Sequence, residues 1–234
     1  MIGAESLARW QHPEHGLIPP AGFVQTVEQS DLIGRFTHHI LERSIAQCAD
    51  WRKGGQELSV AVNLSARNLL DRGLPAQIER LLTTYSVPAS ALQLEITESM
   101  IMSDPERAAL IVSRLSDLGV GISVDDFGTG YSSLANLRRL QIDELKIDQS
   151  FVSPMLRQDS DLIIVRSTIN LGHDLGLRVI AEGVEDPATL EELAAMGCDH
   201  AQGYHLSRPM PIDTFNRWLA NKQQPRPEIG DTGG

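Results

Sequence analysis

The 234-residue chain carries 31 Asp and Glu against 20 Lys and Arg, for a net charge of −11, with 41% hydrophobic and 22% charged residues. That acidity opposes nonspecific nucleic-acid binding, which depends on Lys and Arg neutralising phosphates, so neither DNA nor RNA is expected as a partner. No apolar run nears the roughly 20 residues that cross a bilayer, and no signal-peptide pattern opens the chain; the expectation is a cytoplasmic segment without membrane contact of its own.

Short β-branched runs alternate with longer amphipathic stretches almost throughout. Strands are expected over IGAESLAR (2–9), LSVAVNLS (58–65), LQLEIT (92–97), VGISVDDF (120–127), DELKID (143–148), RVIAEGV (178–184) and HAQGYH (200–205). The stretches IGRFTHHILERSIAQCADWRKGG and SDLIIVRSTINLGHDLG, lying between strands, read as helices. Two more, DPERAALIVSRLSDLG and DPATLEELAAMG, are punctuated by an Asp N-cap, Pro at the first helical position and Gly just past the end. The chain is long enough for one large domain, set at residues 1–222, and the polar, Pro- and Gly-rich residues 223–234 read as a disordered tail.

Alternating strands and helices imply an α/β fold of parallel strands joined by right-handed crossovers, either a doubly wound sheet or a (β/α)8 barrel. Seven strands fall one short of a barrel. Either the sheet is open or one strand is missing from the start of the chain. Cys48 and Cys198, in unrelated segments, read as reduced core thiols. The scattered Trp10, Trp51 and Trp218 read as core residues, and the histidines show no metal-ligand spacing.

Each expected strand carries polar residues near its C-terminal end: Glu5, Asn63, Glu95 and Glu98, Asp125 and Asp126, Lys146 and Asp148, Glu182 and Glu185, and Gln202. In parallel α/β folds those ends share one rim, where ligands bind. Taken alone, any one of these acids is more often a cap or a solvated loop residue; the repetition at seven strand ends argues otherwise. Carboxylates gathered on one rim repel unless a cation compensates them, and oxygen donors without His or Cys suit Mg²⁺ or Mn²⁺. The paired Asp125 and Asp126 are the sharpest case, since one can bridge two metals while the other binds the second. Lys146 reads as a rim salt bridge or as a holder of water and phosphoryl charge. The segment TGYSS, with Gly128 and Gly130, reads as a mobile lid, and Arg9 as a phosphate clamp. Residue types and spacing thus reach a barrel-like hydrolase or lyase with two hard metals, without naming a substrate.

The segments ESLARWQHPEHGLIPP, VNLSARNL, LEITES, DDFGTGYSSLANLRRLQIDELKID, AEGVE and GCDHAQGYHLSRP, in that order, resemble the EAL family of cyclic di-GMP phosphodiesterases across nearly all of residues 4–215. The resemblance implies a modified TIM barrel that hydrolyses cyclic di-GMP to linear pGpG with two divalent cations, Mg²⁺ or Mn²⁺. It assigns Glu5, Asn63, Glu95 and Asp125 to one metal, with Asp125 bridging to a second metal held also by Asp126 and Glu182. It further implies that Lys146 and Gln202 position the water nucleophile, with Glu182 also in the catalytic set, and that Arg9 contacts a substrate phosphate. Glu98 would pin the lid (Gly128, Thr129, Gly130, Tyr131, Ser132 and Ser133), Glu185 would support Glu182, and the lid would couple metal occupancy to contacts in a homodimer. Two departures stand out. The signature triplet reads Glu5-Ser6-Leu7, with serine in place of the usual alanine. The family's N-terminal antiparallel strand, with its "QP" motif, is expected to be absent, which is the main support for the rival reading of a non-catalytic cyclic di-GMP receptor.

Overall fold

The computed structural model describes residues 2–129 and 137–222. The expected tail and, from the lid, Gly130, Tyr131, Ser132 and Ser133 lie outside the described residues. Seven parallel strands form one sheet in simple order: β1 (Gly3–Ser6), β4 (Ser59–Asn63), β5 (Leu92–Thr97), β6 (Gly121–Phe127), β7 (Glu144–Ile147), β8 (Arg178–Ala181) and β9 (His200–Ala201). All seven coincide with expected strands, although β1, β8 and β9 stop sooner than their apolar runs suggested. The strands β2 (Trp10–His12) and β3 (Gly16–Ile18) form a small antiparallel hairpin that the sequence reading did not anticipate. Trp10 belongs to that hairpin rather than to the core; it is 46% exposed and meets His12 and Phe23 edge-on.

Helices cover one face of the sheet: α1 (Val24–Glu28), α2 (Ile33–Lys53), α3 (Leu74–Tyr85), α4 (Glu98–Ser103), α5 (Pro105–Asp117), α6 (Gln149–Val152), α7 (Asp159–Asp174), α8 (Pro187–Ala195) and α9 (Ile212–Lys222). The expected punctuation is present. The Asp104 and Asp186 side chains accept the backbone N–H groups of Arg107 and Thr189, and Gly119 and Gly197 take positive φ after α5 and α8.

Strand side chains alternate between two unlike faces. One face, carrying Val60, Val62, Leu92, Leu94, Ile122, Val124, Leu145 and Val179, is fully buried and forms the core with the helices. Register places the opposite residues side by side on the other face: Asn63 beside Glu95, Glu95 beside Ser123, and Thr97 beside Asp125. The concave face is therefore polar, and the apolar driving force lies between sheet and helices.

Candidate active site

The rim residues converge as their strand-end positions require. Lys146 on β7 is 1% exposed, and its Nζ lies 2.8 Å from Glu95 Oε1 on β5, 2.5 Å from Glu182 Oε1 just past β8 and 3.5 Å from Asp125 Oδ2 on β6. At the seam, Asn63 Nδ2 donates to Glu5 Oε1 at 2.7 Å and Gln202 Nε2 donates to Glu5 Oε2 at 2.6 Å. Glu5 stands on one edge strand and Gln202 just beyond the other, so the sheet curls until its two edges meet through side chains.

The adjacent aspartates occupy a β-bulge. Ser123 and Val124 pair with Glu144 and Leu145, but the next pairing is Phe127 with Ile147, so Asp125 and Asp126 together oppose Lys146. Asp126 adopts φ +55° and donates its N–H to Asp125 Oδ1 at 2.9 Å. Strict alternation would send neighbouring side chains to opposite faces; a bulge with one left-handed residue re-aims them. Asp126, by burial first and then by the charges of Asp125 and Asp148, is harder to ionise than an ordinary aspartate.

Charge around Lys146 is unbalanced. Burial alone would lower its pKa, but Glu95, Glu182, Glu5 and Asp125 outweigh burial and hold the ammonium above the ordinary lysine range. Burial pushes Glu182 up to about 7 against the pull of Lys146, with Asp125 and Glu5 adding to the rise. Glu95, 3% exposed, is raised well above the carboxylate range for the same reason. Four carboxylates thus surround one ammonium.

That excess bears on whether the site suits divalent metal. Glu95 Oε2 is buried without a hydrogen-bond partner, and Lys146 Nζ, though within ion-pair distance of three carboxylates, makes no hydrogen bond of ordinary geometry. Among the described residues no three acidic, His or Cys side chains form a ready-made cage. The donor chemistry nonetheless fits a hard cation: oxygens only, in excess of the available positive charge, with one left unpaired.

The remaining expected residues sit around this centre. Glu98 opens α4, and its Oε2 accepts the Gly128 N–H at 3.4 Å, linking it to the first residue of the expected lid. Thr129 N–H and Oγ1–H both donate to the Asp126 carbonyl, at 3.3 and 2.9 Å. Arg9 is exposed beyond β1 and donates to the Ala8 carbonyl. Glu185 is exposed and makes no hydrogen bond or ion pair among the described residues, so it is not seen holding Glu182.

Two glycines escaped the sequence reading. A Cβ on Gly203, next to Gln202, would lie 2.2 Å from the Val184 carbonyl oxygen, and one on Gly183, next to Glu182, would lie 2.4 Å from Gln149 Cβ. Both follow the same pattern, Ala-Glu-Gly and Ala-Gln-Gly at the ends of adjacent strands, which is the signal that marks them.

Comparison with known proteins fixes the lineage. Residues 1–209 match the EAL domain model. The chain belongs to the EAL domain family. It is 44% identical over 214 residues to the bifunctional diguanylate cyclase/cyclic di-GMP phosphodiesterase MucR of Pseudomonas aeruginosa, covering 91% of this chain and 31% of MucR. It is 39% identical over 214 residues to the cyclic di-GMP phosphodiesterase PdeR of Escherichia coli, covering 92% of this chain and 32% of PdeR. The EAL chain therefore spans about a third of these relatives. A solved structure of the PaMucR phosphodiesterase in complex with c-di-GMP superposes with a TM-score of 0.88 at 43% identity, covering 92% of this chain and 87% of that one.

Proposed function

We propose that this EAL domain is a phosphodiesterase that opens cyclic di-GMP to linear pGpG with the help of divalent cations, Mg²⁺ or Mn²⁺. The observation that carries the reading is the buried Lys146 ammonium, enclosed by Glu95, Asp125 and Glu182 on the rim where Gln202 meets Glu5. Membership in a family with MucR and PdeR supplies the substrate class.

Glu5, Asn63, Glu95 and Asp125 would hold one cation, and Asp125, Asp126 and Glu182 a second. Bound there, the cations supply a lowered pKa for water and compensation of phosphoryl charge. The chain's own residues do the positioning. Lys146 and Gln202 aim a water at phosphorus; its oxygen forms the new P–O bond while the bond to the 3′ oxygen breaks, and a proton passes to that leaving oxygen. Lys146, held cationic by its neighbours, stabilises the charge that develops on the equatorial oxygens. Arg9, exposed beside the rim, would meet the second phosphate, and Glu98 would anchor the lid at Gly128. A homodimer coupled to that lid belongs to the same proposal.

The receptor reading has one observation in its favour: among the described residues no backbone pairing joins β1 to β9, and only side chains close that seam. Chromatography of cyclic di-GMP incubated with Mg²⁺, Mn²⁺ or EDTA separates the two. Metal-dependent pGpG, absent with EDTA and in Asp125→Ala, is expected; nucleotide binding without turnover would replace the enzyme with the receptor.

A further inference from the structure

At the end of the sheet away from the rim, two aspartates repeat one arrangement. Ile122 N–H donates to Asp143 Oδ2 at 2.8 Å, and Asp143 N–H donates back to the Ile122 carbonyl at 2.9 Å. One pair of strands further on, Val179 N–H donates to Asp199 Oδ2 at 2.8 Å, and the neighbouring Cys198 thiol donates to the Val179 carbonyl at 3.4 Å. Each time, a single residue near the start of one strand has both backbone groups gripped by the residues that lead into the next. His173 Nε2, at the end of α7, steadies the second grip at 2.9 Å from Asp199 Oδ2.

The spacing carries this arrangement to the rim. Counting three residues on from each member of the first grip gives Asp125 opposite Lys146; the same step from the second gives Glu182 opposite Gln202. Three strand residues span roughly 10 Å, and a slip of one would turn every side chain to the other face.

Both places need fixing. Between β6 and β7 only Ser123–Glu144 and Val124–Leu145 pair before the bulge interrupts the ladder. Strand β9 is two residues long and lies at the sheet edge. Asp143 and Asp199 are themselves exposed, so packing does not account for them.

We propose that Asp143 and Asp199 are positioning residues, two matched register clamps that set the height of Lys146 and Gln202 on the rim. The catalytic part of this inference rests on the phosphodiesterase reading; the structural part does not.

The test compares Asp143→Ala and Asp199→Ala with the corresponding Asn variants, which keep a carbonyl acceptor. Hydrogen exchange of the Ile122 and Val179 amides is expected to quicken at least about tenfold in the respective Ala variant. The Gln202 side-chain amide resonance, which reports its bond to Glu5, shifts in Asp199→Ala and stays in place in Asp199→Asn. In turnover, kcat falls about 10–100-fold in the Ala variants with KM within about threefold, and the Asn variants recover most of it. Unchanged exchange at Ile122 and Val179 overturns the clamps, and folded Ala variants with wild-type kcat and an unmoved Gln202 signal overturn the positioning role. Should the wild type itself show no turnover, the phosphodiesterase reading fails, while exchange and the Gln202 resonance still judge the clamps.

Discussion

Gln202 and Glu5 are 197 residues apart in sequence, yet Gln202 Nε2 lies 2.6 Å from Glu5 Oε2. The other Glu5 oxygen is taken by Asn63, so one carboxylate ties the two edges of the sheet to the strand beside it. Replacing Gln202 by Leu leaves Glu5 Oε2 without its donor and frees the tip of β9. The expected cost is about 1–2 kcal/mol of stability, read by urea unfolding, together with a loss of about 10–100-fold in kcat. Wild-type kcat in a Gln202→Leu protein would remove this contact from the catalytic machinery.

Lys146 gives a sharper energetic test. Lys146→Met matches the stem in volume but removes the one cation among Glu95, Asp125 and Glu182. Breaking a buried ion pair from one side costs about 3–5 kcal/mol, because the remaining charges lose their compensation. In EDTA at pH 8 the variant should lose about that much stability. At pH 5, below the raised pKa of Glu182, the loss should shrink. Equal losses at both pH values would show that Lys146 matters through packing alone.

The architecture was legible because each piece of it has a local cause. Strand-helix alternation, the Asp-Pro starts of α5 and α8 and the polar strand ends appear in a single chain and need no partner residue to be read. The convergence of Glu95, Asp125 and Glu182 on Lys146 followed once those strands were taken as parallel. Three features were not legible. The hairpin of Trp10–Ile18 has too few residues to show a period. The bulge at Asp125 and Asp126 reads as plain alternation until the pairing with Lys146 is seen. The closeness of Gly203 to Val184 depends on the crossing of two loops distant in sequence.

Glu182 makes the pH dependence explicit. Its carboxyl is pushed up to about 7 in the fold from an ordinary 4.5. A raised carboxyl pKa means that the folded state binds more protons than the unfolded chain between those values, so its contribution to stability falls as pH rises from about 4.5 to about 7. Burial sets the sign, since it opposes the charged form and outweighs Lys146. For the metal-free protein this amounts to about 3 kcal/mol at most, at 1.36 kcal/mol per pH unit. Added Mg²⁺ or Mn²⁺ should restore stability at pH 7–8 and much less at pH 5, as measured by thermal unfolding. Restoration that is equal at both pH values would mean that the cation binds away from Glu182.

Gly203 tests how closely two backbones must approach. A methyl group there would lie 2.2 Å from the Val184 carbonyl oxygen and 2.3 Å from its nitrogen, and neither can retreat as a flexible side chain would. Val184 N–H donates to the Gln202 carbonyl at 3.0 Å, so any shift drags Gln202 with it. Gly203→Ala is expected to cost about 1–3 kcal/mol and to lower kcat. Gly176→Ala is the contrast: φ is +75° but nothing lies within 4 Å of its Cβ, so it should cost about 1 kcal/mol and leave kcat unchanged.

Asp126 sets stability against function at one position. It holds φ +55°, a conformation that costs an L-residue about 1 kcal/mol and glycine almost nothing. The strain sits in the bulge where Asp125 and Asp126 together oppose Lys146 in the ladder. Asp126→Gly should therefore fold with stability raised by about 1 kcal/mol, and more at pH 8, where the repulsion between Asp125 and Asp126 also disappears. Turnover should fall by about 100-fold or more, because the carboxylate that would hold the second cation is gone. Asp126→Ala keeps the strain and loses the carboxylate, so it should match the glycine variant in turnover and fall below it in stability. A glycine variant that is both less stable and fully active would show that the left-handed turn serves the fold and leaves the chemistry untouched.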